Sequence, residues 1–72
     1  MKIEITGTPF EMAKKATAQE LKKLIRDCNK ALSEQYDEFT DRCRICFEKY
    51  AAGEKEQAQW WSNHAQLVRP EE

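Results

Sequence analysis

The residues of this chain with the greatest chemical reach are Cys43, Cys46 and the single His64, the cations Lys22, Arg26 and Lys30, and the adjacent Trp60 and Trp61. Cys43-Arg44-Ile45-Cys46 sets two thiols about one helical turn apart, and a helical hairpin turning at Gly53 brings His64 level with Cys43. Two thiolates and an imidazole are three of the four ligands of a tetrahedral zinc site. The fourth is missing: Cys28 lies 15 residues further up the same helix, about 22 Å away, and would join only from another chain. All three cysteines also fall on an apolar stripe, where free thiols act as small buried hydrophobes. No cofactor is expected, with zinc on Cys43, Cys46 and His64 as the alternative.

Lys22, Arg26 and Lys30 recur every four residues, so one helix face carries all three toward phosphates or carboxylates. Arg42 and Arg44 lie near the aromatic end of the chain. Cations from two chains closing on a phosphate, with Trp60, Trp61 or Tyr36 stacked on a base, would hold a small nucleotide. In the last helical segment Ala58, Trp61, Ala65 and Val68 share one face, and Trp60, His64 and Leu67 share a neighbouring one. One face packs inward. The other is left for a partner chain, a target protein or a ligand, and an exposed Trp anchors interfaces well. The plainer readings are a solvated cationic face and tryptophans that widen a small core.

Catalysis is not expected. His64 has no nucleophile at a recognisable spacing, Gly7 and Gly53 are the only glycines, and the acids from Glu34 to Asp41 lack the spacing of a calcium loop. A net charge of −1 without a dedicated motif argues against nucleic acid. No apolar run approaches the roughly 20 residues of a membrane span. Three cysteines, an odd number, with no signal peptide point to a reducing cytoplasm.

The elements that must position these residues are mainly α. Residues 1–7 alternate like a short strand and turn, and Thr8-Pro9-Phe10-Glu11 opens a short helix over 9–16. Thr17-Ala18-Gln19-Glu20 opens a long helix over 17–52, continuous or bent, whose apolar stripe runs from Leu21 to Tyr50. Gly53 ends it, a return helix covers 54–68, and 69–72 form a tail, all within one small domain. The long arm would reach about 52 Å and the return arm about 21 Å, so the antiparallel hairpin covers only Phe39 to Tyr50. Leu21, Ile25, Cys28, Leu32, Tyr36 and the lone strand are left over, which calls for a homo-oligomer, a dimer or tetramer. Charge points the same way. Residues 1–32 carry seven Lys/Arg against four Asp/Glu, and residues 33–72 five against nine, so Lys15, Lys22, Arg26 and Lys30 would meet Glu34, Asp37, Glu38 and Asp41 of a second copy.

The opening Met1-Lys2-Ile3-Glu4-Ile5-Thr6-Gly7-Thr8-Pro9 resembles the first residues of many small proteins of bacteriophages and prophages of Gram-positive bacteria. The likeness covers nine of 72 residues. It implies an anti-defence protein: an inhibitor that blocks a host effector by contact, as anti-CRISPR proteins do, or an oligomeric sponge for the nucleotide signals of CBASS or Thoeris immunity. The expectation is a non-enzymatic binding protein that masks a host macromolecule through a helical face. The alternatives are a nucleotide sponge and a small zinc-binding helical module.

Overall fold

Three helix starts in this chain are fixed by side chains that accept backbone N–H groups no helical carbonyl can reach. In the computed structural model, which describes residues 3–70, these starts open α1 (Pro9–Lys15), α2 (Ala18–Glu34) and α3 (Glu38–Ala51), followed by α4 (Lys55–Leu67). At α1, Pro9 has no N–H, Ser62 Oγ accepts from Phe10 N at 3.0 Å, and Thr8 Oγ1 accepts from Glu11 N at 3.2 Å. At α2 both halves of a capping box form, Glu20 N to Thr17 Oγ1 and Thr17 N to Glu20 Oε1. That pairing holds the Glu20 carboxyl below its ordinary range, chiefly through the Thr17 backbone hydrogen bond.

The third start corrects the expected long helix. Asp37 Oδ2 accepts from Thr40 N at 3.1 Å and from Thr40 Oγ1 at 2.7 Å, so a new helix begins here and 17–52 divides into α2 and α3. Gln35 and Asp37 both have extended backbone, with φ of −156° and −142°. The described chain spans 28 × 23 × 17 Å, about half the length a continuous helix over 17–52 would need.

The break lets α2 fold back on α3, which overturns the expectation that the chain leaves residues 21–36 uncovered. Leu21, Cys28 and Ala31 are buried, and Leu24, Ile25 and Leu32 are half-buried. Leu21, Leu24, Ile25 and Cys28 meet Phe39, Cys43 and Phe47 in one core, with Ala13 of α1 and Ala65 of α4. Tyr36 alone of the leftover stripe stays out, 68% exposed in the link between α2 and α3. The premise for a second copy is therefore met from within the chain.

Gly53 behaves as expected. Its φ of +86° suits a residue without Cβ, and Gly53 N to Tyr50 O and Glu54 N to Lys49 O close a Schellman motif at the end of α3. The turn sends α4 back along α3, where Ala58, Ser62 and Ala65 are fully buried and small enough for the two helices to approach closely. Trp61 and Val68, expected on that inner face, flank it half-buried.

No strand forms among residues 3–70, and Met1 and Lys2 of the expected strand lie outside the described residues. A single strand with nothing to pair with is not stable. Residues 3–7 are tied down by Arg69 instead, whose guanidinium donates to the carbonyls of Ile5 and Gly7 at 2.6 Å each and lies 5.5 Å over the Phe39 ring. Ile5 is buried in the core. No helix among the described residues is long and apolar enough to cross a membrane.

Candidate functional site

The thiols come together, but as core. Cys28, Cys43 and Cys46 are free and buried, and the folding back of α2 brings Cys28 and Cys43, expected about 22 Å apart, into one cluster. Burial pushes the Cys28 and Cys46 thiols up to about 12, and drives that of Cys43 upward as well. A thiol so poised stays protonated at neutral pH, which leaves little thiolate for a metal or a nucleophilic step. Among the described residues no three His, Cys, Asp or Glu side chains gather at metal-binding geometry, so Cys43, Cys46 and His64 are not assembled as a ligand set.

The two expected arginines are engaged within the chain. Arg44 bridges Asp41 at 2.9 Å and Glu48 at 2.8 Å, and these bonds to carboxylates, Asp41 first, raise its pKa. Arg42 pairs with Glu38 and donates to the His64 carbonyl at 2.8 Å. Within the chain Asp37 serves as a cap, and Glu38 and Asp41 serve as ion-pair partners. Lys22, Arg26 and Lys30 lie exposed along α2 and form no ion pair among the described residues.

The aromatic residues of α4 do form a shared surface. Trp60 is 52% exposed; its ring stacks on His64 with centroids 3.6 Å apart and planes at 22°, and meets Trp61 edge to face at 5.0 Å and 80°. His64 Nδ1 donates to the Trp60 carbonyl at 2.8 Å, since a carbonyl can only accept. That bond fixes the imidazole against the indole. Leu67, 77% exposed, continues the face one helical turn on.

Beside this face an open groove of about 420 Å³ is lined by Trp60, Trp61, Glu56 and Gln57. The sequence reading missed the last two. Their signal was present, because Glu56 stands four residues before Trp60 and Gln57 four before Trp61, the spacing that places helical neighbours side by side. It also missed Ser62 and Arg69, whose roles depend on carbonyl and N–H groups more than 50 residues away.

The structure therefore joins Trp60, Trp61, His64 and, through a backbone carbonyl, Arg42. Lys22, Arg26 and Lys30 are on α2, which packs on α3, and Tyr36 is in the link, its hydroxyl 3.5 Å from Asp41. In comparisons with known proteins, no family, no curated protein and no solved structure matches this chain.

Proposed function

We propose that this protein is a non-enzymatic binding protein that docks a partner protein on the outer face of α4, with Trp60 as anchor and His64 and Leu67 beside it. The observation that carries this reading is the half-exposed Trp60, held between His64 and Trp61 on a helix whose opposite face is sealed by Ala58, Ser62 and Ala65. A preordered ring loses little side-chain freedom on binding, and Trp on a rigid helix is a frequent hot spot. Read with the resemblance of the first nine residues to phage proteins, the partner of this proposal is a host protein, which contact alone would mask.

The nucleotide-trapping alternative draws less from the geometry. Arg42 and Arg44, the arginines expected to close on a phosphate, are held by carboxylates, and Glu56 lines the groove, where it repels phosphate. Immobilised wild-type protein should retain one host protein in stoichiometric amount, and Trp60→Ala should lose it while its circular dichroism is unchanged. Equal retention by both proteins, or none by either, would overturn the reading.

A further inference from the structure

Two indoles nearly at right angles beside a carboxylate have a definite chemical preference. Each ring face carries negative quadrupole potential, so a cation within about 6 Å of the ring centroids is attracted, most strongly when it is weakly hydrated. In the groove of α4 the Trp60 and Trp61 planes meet at 80° with centroids 5.0 Å apart, and Glu56 and Gln57 line the same opening. Trp60 and Trp61 are consecutive residues, about 100° apart around the helix, which is why their rings form a corner and not a flat stack.

The charges around the corner are arranged for a cation from outside. Glu56 makes no ion pair among the described residues. Glu54 is held by Lys49 at 3.5 Å, and Lys55, the cation adjacent in sequence, lies 5.7 Å over the ring of Tyr50. Among the described residues no lysine or arginine is placed over either indole, and His64 stacks on Trp60 alone. Gln57 is neutral, and its amide is turned to Glu54 at 3.2 Å.

We infer that the Trp60–Trp61–Glu56 corner is a cage for an organic cation, a lysine ammonium or its methylated form, on the partner polypeptide. This rests on the docking reading and deepens it. The aliphatic stem of such a side chain covers the indole surface while the charged head faces Glu56. A free phosphate or nucleotide is the wrong sign for the site, and a choline headgroup brings a phosphate toward Glu56.

The test follows the indole Nε1–H resonances of Trp60 and Trp61 in the full chain during titration with N-acetyl-lysine amide, its trimethylated form and the neutral N-acetyl-norleucine amide. Saturable shifts are expected with both cations, larger for the trimethylated one, and none with norleucine. Glu56→Gln should weaken binding about threefold, the size of an exposed charge interaction. Trp60→Ala should abolish the Trp61 shift. Equal response to norleucine, no response to either cation, or unchanged affinity in Glu56→Gln would overturn the proposal, as would a stronger response to phosphatidylcholine vesicles than to trimethyl-lysine. Failure here with host-protein capture still lost in Trp60→Ala removes the cage and leaves the docking face; loss of both results removes both.

Discussion

The inner stripe of α2 and the outer stripe of α4 are alike as sequence patterns, yet they end in opposite environments. Leu21, Ile25 and Cys28 are folded onto α3, whereas Trp60, His64 and Leu67 stay on the surface. The difference lies in what surrounds each stripe. The reversal at residues 35–37 turns α2 onto a partner helix, while α4 already meets α3 through its small face and has nothing to cover its large one. Apolar periodicity therefore shows that a face wants burial, but the connections decide whether the chain can supply it.

Removing the residue on which the closed region converges should give the largest effect. Phe47 is fully buried, and Phe47→Ala should cost about 3–5 kcal/mol in urea unfolding. A loss below about 1 kcal/mol would mean that the α2–α3 seam is not the closed region described.

Alkaline pH should separate the two regions next. The thiols of Cys28, Cys43 and Cys46 have pKa values raised in the folded state from the ordinary 9.0, two of them to about 12. Their contribution to stability is complete below pH 9, because both states are then protonated, and it is lost as pH rises toward 12 and the unfolded chain releases protons first. Unfolding followed at pH 7.5 and 10.5 should show a marked drop, and substituting all three cysteines by alanine should flatten it. The Trp60 face carries no such group.

A smaller effect tests the reversal itself by its sign. Asp37→Ala removes the cap of α3 and should destabilise by about 1 kcal/mol. Were α2 and α3 one helix, the same change would stabilise it, since alanine is the better residue in a helix interior. Trp60→Ala should lower stability least, by about 1 kcal/mol at most, while abolishing partner capture. A large stability loss there would turn the open face into part of the core.

Much of this fold was legible in the residues. Thr8, Pro9 and Thr17 marked helix starts that formed within one residue of expectation, and Gly53 marked the turn. The division of α4 into an inner and an outer face was also readable, although Ser62, a polar residue, proved central to the inner one. The break at 35–37 was missed because Asp37 stands among acids that looked like a charged patch, and no Gly or Pro accompanies it. One overlooked cap then propagated: a 52 Å arm, an uncovered stripe and a distant Cys28 all followed from a helix taken as unbroken.

Of the candidate site, the sequence alone determined which residues are aromatic, cationic and thiol-bearing, and which share a helical face, because helical period is a local property. Tertiary structure alone decided which of them meet. It placed Cys28 against Cys43, tied Arg42 and Arg44 to carboxylates, and stacked His64 on Trp60 with Glu56 and Gln57 beside the indoles. Those outcomes depend on where the chain reverses and on which charges find a partner at contact distance, and neither is fixed by spacing along a single helix.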